Sequence, residues 1–367
     1  MDASFDVVQH LINGVNGFMT GLLNLSDFSA KEALFLTRFY KSVKTAAAKR
    51  KAAQEKNLNV PAFLIASITS QCNLHCAGCY ARSLDVCSDD TPVQQLSGEE
   101  WGRIFREAAD LGVSFILLAG GEPLVRRDVL LQAAEVKDIL FPVFTNGTLF
   151  SERTVALFDE NRNLAPVLSI EGDALLTDSR RGDGVYEKLI EGMQRLKEKK
   201  ILFGASITVT NENLEEITSL EFITQLKNQG CKVVIFVEFV PTNPELERLA
   251  LSEAEQDMLR ENINALRASI DKMEFIAFPG DEKNTGGCIA AGRGFFHINS
   301  HGGAEPCPFS PYSDVNVRDG SLLDAMQSPL FTALRAGDIL MDDHSGGCVL
   351  YEKRAEVEAI LNESKND

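Results

Sequence analysis

Six short apolar runs alternate with longer amphipathic stretches in the middle of the chain, and this alternation limits the fold more than any other feature of the sequence. Such a pattern is typical of β-strands joined by α-helices. The runs lie at residues 63–69, 115–119, 142–145, 167–170, 202–209 and 232–240. Successive βα units form a parallel sheet with right-handed crossovers. Because six strands are too few to close an eight-stranded barrel, we predict an α/β fold built on a six-stranded partial (βα)6 TIM-like barrel.

The two ends of the chain differ in character from this repeat. Residues 1–58 predict helices, because apolar residues recur there at helical spacing and Ser29 and Glu32 have the spacing of a capping box. Residues 280–367 are rich in glycine and hold three of the eight cysteines, which favours a small domain organised around a metal. We therefore predict an N-terminal helical segment at 1–58, the barrel at 59–279 and a small C-terminal domain at 280–367.

Charge and cysteine content limit the partners and the compartment. The formal net charge is −17, so most of the surface would repel phosphates, and we expect no nucleic-acid partner. The sequence has no run of about 18 apolar residues that would span a bilayer, and its start lacks the pattern of a secretory signal. We therefore expect a cytoplasmic protein, where clustered cysteines are better interpreted as metal ligands than as disulfides.

The basic residues of the N-terminal segment allow two interpretations. A helical hairpin at 1–58 can pack its apolar face on the barrel and expose its lysines to solvent. Alternatively, an apolar face flanked by lysines can lie on a membrane surface, giving the protein a peripheral membrane contact through residues 1–58. We favour the packed hairpin.

Three cysteines directly follow the first predicted strand. Cys72, Cys76 and Cys79 lie within eight residues of one another. A [4Fe–4S] cluster normally takes four thiolates, so three would hold one cluster and leave one iron open to a substrate. The alternative is a zinc site, which would need a fourth ligand such as His75.

Further motifs stand where the other predicted strands end. In parallel βα folds these ends converge on one ligand site, so the motifs and the three cysteines are expected to lie together. The candidate residues are the GGEP sequence after the second strand and individual residues at or after the ends of the third, fourth and fifth strands. They are Gly120, Gly121, Glu122, Pro123, Asn146, Ser169, Glu171, Arg181 and Thr208.

The C-x3-C-x2-C triplet and the strand-end motifs together resemble the radical SAM superfamily, from residue 61 to about residue 351. The resemblance implies that Cys72, Cys76 and Cys79 hold a [4Fe–4S] cluster whose open iron binds S-adenosylmethionine (SAM). This sequence differs from the commonest pattern of the family at one position, because Gly78 precedes the third cysteine where an aromatic residue is common. Tyr80 follows that cysteine instead, and we assign it to the SAM pocket.

The same resemblance assigns roles to the strand-end residues. The GGEP backbone would contact the SAM amino group. Asn146 would line the pocket, and Ser169 and Glu171 would contact the ribose or the methionine moiety. Arg181 would pair with the SAM carboxylate, and Thr208 would contact the adenine.

The three C-terminal cysteines belong to a segment that resembles the SPASM or twitch extension of radical SAM enzymes. The resemblance rests on the C-x13-G-x4-C opening from Cys288 to Cys307 and on the later Cys348. It implies one auxiliary [4Fe–4S] cluster on Cys288, Cys307 and Cys348, with its fourth ligand left open. The alternatives are vestigial cysteines or a zinc site.

The resemblance implies an enzyme that cleaves SAM reductively and abstracts hydrogen from a substrate through a 5′-deoxyadenosyl radical. Electrons would come from a low-potential donor of the flavodoxin or ferredoxin type. The substrate is a peptide in the main interpretation, and a small molecule, lipid or cofactor precursor in the alternative. A non-catalytic iron–sulfur or zinc scaffold is the alternative of another class. The sequence identifies no catalytic acid or base.

Overall fold

The structure is a computed structural model that describes residues 14–15, 17–22, 28–90, 94–278, 287–341 and 348–364. The apolar pattern at the start of the predicted N-terminal hairpin therefore lies largely outside the described residues, as does the predicted domain boundary at residue 280. Strands and helices alternate through the central part of the chain, as the apolar runs predict.

The described residues of the central part form seven strands. They are β1 (Phe63–Thr69), β2 (Phe115–Gly120), β3 (Phe141–Thr145), β4 (Leu164–Ser169), β5 (Gly204–Val209), β6 (Val233–Glu238) and β7 (Glu274–Phe278). All seven pair in parallel in chain order, so the predicted parallel α/β sheet is confirmed. The seventh strand extends the six that the sequence predicts. It contains only five residues and begins at the charged Glu274, which makes its apolar pattern short.

Helices cover the outer face of these strands. The helices before and within the barrel are α1 (Ala30–Gln54), α2 (Tyr80–Ser83), α3 (Gly98–Leu111), α4 (Arg127–Glu135), α5 (Glu152–Glu160), α6 (Ala174–Arg181), α7 (Val185–Glu198), α8 (Leu214–Ile217), α9 (Leu220–Gln229) and α10 (Glu253–Ser269). Their start signals agree with the sequence. In α3, for example, Ser97 and Glu100 form a complete capping box.

The C-terminal part continues the barrel sheet. Strand β8 (His297–Ile298) pairs in parallel with β1, and β9 (Gly303–Glu305) and β10 (Val315–Asn316) follow in antiparallel order. Four short helices complete it: α11 (Leu322–Met326), α12 (Pro329–Ala336), α13 (Val349–Glu352) and α14 (Arg354–Ser364). Because β8 joins the strand that carries the first cysteines, the C-terminal cysteines are brought to the same side of the molecule.

Helix α1 packs across the amino ends of the barrel strands. Its apolar residues Leu36, Phe39 and Val43 are buried against side chains at the starts of the strands, including Phe115 and Val233. This is the packing that we favoured for the N-terminal segment, and it covers the face of α1 that would otherwise enter a membrane. In the described part of the chain, no helix combines the length and the apolar character needed to cross a bilayer.

A buried ion pair fixes α1 in this position. Ser29 caps the helix as predicted by accepting a hydrogen bond from the Glu32 N–H. The Glu32 carboxylate does not complete the capping box. It turns inward, where it pairs with Arg162 at 2.8 Å and accepts a hydrogen bond from the Leu202 N–H. Tertiary pairing therefore replaces the local cap that the sequence pattern predicts.

Candidate functional site

The three clustered cysteines lie on a loop at the carboxyl end of β1. The loop runs from Gln71 to Cys79, and Cys79 is the N-terminal cap of the short helix α2. The three thiols are near neighbours. Burial raises the pKa of the Cys76 thiol, and the charges of Cys79 and Cys72 raise it further. The structure thus brings together Cys72, Cys76 and Cys79, as the spacing of the triplet predicts.

The GGEP motif supports the start of this loop. The Gly121 N–H donates to the Thr69 carbonyl at 2.8 Å, and the Glu122 N–H donates to the Gln71 carbonyl at 2.8 Å. A Cβ atom on Gly121 would lie 2.0 Å from the Gln71 carbonyl oxygen, a separation that no side chain can adopt. The two glycines are therefore required for contact with the cysteine loop, a reason that the sequence alone did not show.

Glu122 joins this motif to the end of β3. Its carboxylate is buried and accepts hydrogen bonds from the Thr145 hydroxyl at 2.7 Å and from the Asn146 N–H at 2.8 Å. Burial raises the pKa of Glu122 to about 7. With both oxygens engaged, the side chain positions the loops, while Pro123 begins a single helical turn that the Glu122 side chain also caps.

Asn146 extends the support across the mouth of the barrel. Its amide donates to the Asn73 side chain at 2.9 Å, and Asn73 in turn donates to the Thr148 hydroxyl at 2.8 Å. Asn73 lies between the first two cysteines, so the end of β3 is tied directly to the cysteine loop. The sequence predicts Asn146 in the site, but it gives no sign of the role of Asn73.

Glu171 and Arg181 form the opposite wall. Glu171 is buried, pairs with Arg180 at 2.9 Å, and accepts a hydrogen bond from the Arg181 Nε at 2.8 Å. Its other oxygen accepts a hydrogen bond from the Thr208 N–H at 3.0 Å. Arg181 also places Nη1 at 4.0 Å from the Cys76 sulfur. Ser169 is half-buried at the end of β4 and completes this wall.

The Arg181 guanidinium is held charged beside the cysteines. Burial alone would lower its pKa, but the charges of Glu171 and Cys76 outweigh burial and raise it. The preceding residue anchors the loop itself, because the Ala77 N–H donates to the Arg180 carbonyl at 2.8 Å and Arg180 Nε donates back to the Ala77 carbonyl at 3.1 Å. The end of α6 is therefore docked on the cysteine loop.

Arg82 is a site residue that the sequence analysis missed. Its guanidinium donates to the Leu74 carbonyl at 2.8 and 3.0 Å and to the Cys72 carbonyl at 3.3 Å, and it pairs with Asp89 at 2.7 Å. It thus holds the loop from its solvent side. The available signal was its place three residues after Cys79, on the first turn that follows the triplet.

Two further cysteines have different environments. Cys87 hydrogen-bonds to Cys72, and this bond is the main cause of the lowered pKa of the Cys72 thiol. Its proximity to the triplet accords with its place in the sequence close behind the loop. Cys231, in contrast, is fully buried near the start of β6, where burial raises its pKa to about 12. Cys231 is therefore a core residue.

The C-terminal cysteines form a second set. Cys307 hydrogen-bonds to Cys348, and the charge of Cys288 further raises the pKa of Cys307. Cys288 is anchored by its N–H, which donates to the Leu340 carbonyl at 2.8 Å. The structure therefore brings these three cysteines together from three separated segments.

Tyr80 lies between the two cysteine sets. Its ring packs on Phe309, two residues after Cys307, with ring centres 4.8 Å apart. Burial raises the pKa of the Tyr80 hydroxyl, and the charges of Cys79 and Cys307 raise it further. The predicted SAM-pocket residue is thus also the side chain that connects the two sets.

The spacing of these thiols bears on which group they can hold. Among the described residues, no three side chains of His, Cys, Asp or Glu converge closely enough to ligate a single metal ion. Tetrahedral zinc would hold thiolates about 3.8 Å apart, since each Zn–S bond is about 2.3 Å. A four-iron cluster takes its thiolates on different irons, so its ligands stand farther apart. The two groups therefore require different spacings of the same thiols.

Comparison with known proteins identifies a matching family and relatives. The profile of the Radical SAM superfamily matches residues 66–223. The AdoMet-dependent heme synthase of Methanosarcina barkeri is 28% identical over 288 residues, covering 71% of this chain and 80% of that protein. The PqqA peptide cyclase of Granulibacter bethesdensis is 24% identical over 296 residues, covering 76% of this chain and 77% of that protein.

Among solved structures, the crystal structure of Streptococcus suis SuiB bound to the precursor peptide SuiA matches with a TM-score of 0.68 at 20% identity. The match covers 87% of this chain and 78% of that chain. The likeness confirms the predicted partial-barrel fold.

Proposed function

We propose that this chain is a SAM-cleaving enzyme of the radical SAM superfamily, whose profile matches residues 66–223, and that Cys72, Cys76 and Cys79 hold its [4Fe–4S] cluster. When bound, the cluster and SAM supply reductive C–S bond cleavage, which starts hydrogen abstraction from a substrate. The observation that carries the assignment is the cysteine loop itself. It is hydrogen-bonded to the end of β1, to GGEP, to the end of β3 and to the end of α6.

The surrounding residues divide into two groups. Glu122, Asn146 and Glu171 have side chains engaged by neighbouring loops, and we assign them to positioning the pocket. The residues left to contact SAM are those at the wall and rim: the backbone of Gly120, Gly121 and Pro123, together with Tyr80, Ser169, Arg181 and Thr208.

Arg181 carries the strongest electrostatic role. Its guanidinium is charged, largely shielded from solvent and 4.0 Å from the Cys76 sulfur. A fixed cation offsets the negative charge of neighbouring thiolates, and a guanidinium fork suits a carboxylate. We assign Arg181 to pairing with the SAM carboxylate while Glu171 keeps it in place.

The C-terminal set is assigned to one auxiliary [4Fe–4S] cluster on Cys288, Cys307 and Cys348, in a SPASM- or twitch-like extension. This assignment is supported by the proximity of the three thiols to one another, on the far side of Tyr80 from the first set. An external low-potential donor of the flavodoxin or ferredoxin type would reduce the enzyme.

We further propose a peptide as substrate. The cavity beside the cysteine loop measures about 200 Å³, smaller than the roughly 300–1,000 Å³ of pockets that enclose whole organic ligands. It suits one side chain or backbone segment of a longer chain. The relation to the PqqA peptide cyclase supports the same class.

A small-molecule substrate is the second candidate, favoured by the higher identity to the heme synthase of Methanosarcina barkeri. A tetrapyrrole would have to bind outside the 200 Å³ cavity. The two candidates differ in which compound stimulates 5′-deoxyadenosine release. A peptide encoded beside the gene should do so if the first is right, and an iron porphyrin if the second is right.

The experiment that tests the assignment is anaerobic reconstitution followed by reduction with dithionite in the presence of SAM. We expect about eight irons per chain, from two four-iron clusters, and formation of 5′-deoxyadenosine. A Cys76→Ala variant should lose about half of the iron and all of the product. A reconstituted wild-type chain that binds zinc alone, or that forms no 5′-deoxyadenosine, would refute the proposal.

A further inference from the structure

A buried chain of hydrogen bonds crosses from the barrel to the C-terminal part. The Ser67 hydroxyl on β1 lies 2.7 Å from Nε2 of His297 on β8. Nδ1 of the same ring lies 2.6 Å from the carboxylate of Glu305 on β9. Both His297 and Glu305 are about 95% buried, so water does not compete for these bonds. None of the roles assigned above to the cysteines or to the SAM pocket uses these three side chains.

The partners of Glu305 determine which atoms donate and which accept in this series of hydrogen bonds. Its carboxylate accepts from the Asn299 amide at 2.5 Å and faces His297 Nδ1. A buried carboxylate takes hydrogen-bond donors, so a ring with a single proton carries it on Nδ1. Nε2 is then an acceptor, and the Ser67 hydroxyl must donate to it. With its proton donated to His297, the Ser67 Oγ can still accept a hydrogen bond through its lone pairs.

Ser67 stands at the wall of the cavity of about 200 Å³. Ser67, His297 and Glu305 line it, together with Tyr80 and Gly120 of the proposed SAM pocket. Two other polar groups of its wall already have partners. The Thr69 hydroxyl accepts from the Gln71 N–H, and the Asn299 carbonyl oxygen accepts from the backbone of 301 and 303. A ligand in this cavity therefore meets an acceptor at Ser67, beside the pocket assigned to SAM.

We propose that Ser67 is a substrate-recognition residue that accepts a hydrogen bond from an N–H group, an amide or an amine, of the molecule in this cavity. His297 and Glu305 are positioning residues, because they act by fixing the Ser67 hydroxyl. The proposal deepens the peptide assignment, on which its substrate class rests. The geometry of the hydrogen-bond chain is independent of the cysteines and of SAM.

The first test is the tautomer of His297, measured by 15N–1H correlation in the full-length chain labelled at its five histidines. The spectrum of the His297→Gln variant identifies the resonance. We expect the neutral ring to carry its proton on Nδ1, with Nε2 unprotonated. A proton on Nε2 would make that atom a donor to Ser67 and overturn the proposal. This measurement needs neither SAM nor a functioning cluster.

The second test uses two probes of nearly the same shape, N-methylacetamide and methyl acetate, of which only the first has an N–H. Titration of N-methylacetamide should shift the His297 Nε2 resonance, and methyl acetate should not. The Ser67→Ala variant should abolish the response, whereas Ser300→Ala, in the same cavity wall, should keep it. Equal responses to both probes, or a response that survives in Ser67→Ala, would refute the recognition role. Either result leaves the 5′-deoxyadenosine assay unaffected, so the two proposals fail separately.

Discussion

The two cysteine sets of this chain use the same ligands but are built in opposite ways. Cys72, Cys76 and Cys79 lie within eight residues on one loop, whereas the second set spans 61 residues from Cys288 to Cys348. The first loop is fixed by the carboxyl ends of long parallel strands. The second set is joined by short elements, such as the bond from the Cys288 N–H to the Leu340 carbonyl.

This difference indicates which site exists before a metal binds. Bringing distant segments together costs chain entropy that grows with the length of the loop between them. A site assembled in this way gains most of its order from the metal. The barrel, in contrast, holds its loop by hydrogen bonds that need no metal. We therefore expect the first site to be preformed and the second to be coupled to metal binding.

The largest effect should come from removing one cysteine from each set. Cys76→Ala should reduce 5′-deoxyadenosine formation to the level of a no-enzyme control, because the cluster would lose one of only three protein thiolates. Cys348→Ala should leave SAM cleavage within a few-fold of wild type while lowering iron by about four per chain. The measurement is product by chromatography alongside iron analysis. Loss of SAM cleavage in both variants would show that the two sites are one cooperative unit.

The second effect concerns the buried wall of the first site. Glu171→Gln leaves Arg180 and Arg181 without their shared carboxylate, which should cost about 3–5 kcal/mol in the free energy of unfolding. Urea unfolding of the full chain measures this. The matched control is Glu212→Gln, whose exposed pair with Arg248 should contribute at most about 1 kcal/mol.

Glu171→Gln should also weaken SAM binding while the iron of the second set stays unchanged. If Glu171→Gln proves no more costly than Glu212→Gln, the wall is not the rigid support that distinguishes the first site.

The sequence predicted the parts of both regions that depend on local pattern. The strands, the cap at Ser29 and the positions of the strand-end motifs follow from periodicity and spacing. It did not predict the inward turn of Glu32 to Arg162, because 130 residues separate the pair. Nor did it predict Asn73 and Arg82 as loop supports, since any surface Asn or Arg has the same local appearance. The hydrogen-bond chain from Ser67 to Glu305 required knowledge that β8 joins β1.

The third effect is a pH dependence that arises from Glu122. Burial raises its pKa from 4.5 to about 7 in the folded chain, so the folded state holds a proton that the unfolded state has lost. Stability should therefore fall as pH rises from about 4.5 to about 7 and then level off. The full change is about 3 kcal/mol from this group.

The measurement is urea unfolding of the cluster-free chain at several pH values, compared with Glu122→Gln. The difference in the free energy of unfolding between the two proteins should fall over the same pH range, because the variant cannot titrate at position 122. If the difference is flat across that range, the carboxyl is solvated without the cluster and the first site is not preformed.

The smallest effect compares one arginine from each region. Arg82 donates to the Leu74 and Cys72 carbonyls, so Arg82→Met should speed iron loss to a chelator by roughly 10–100-fold, as for other residues that orient metal ligands. Arg293 donates to the Cys288 carbonyl at 2.5 Å. Arg293→Met should change iron release from the second set by less than about 10-fold, since that set depends more on the metal than on its surroundings.

Asp89→Asn is the control. It removes the exposed partner of Arg82 but keeps the bonds from Arg82 to the loop, and it should leave iron release unchanged. A larger effect at Arg293 than at Arg82 would reverse the contrast between the two regions.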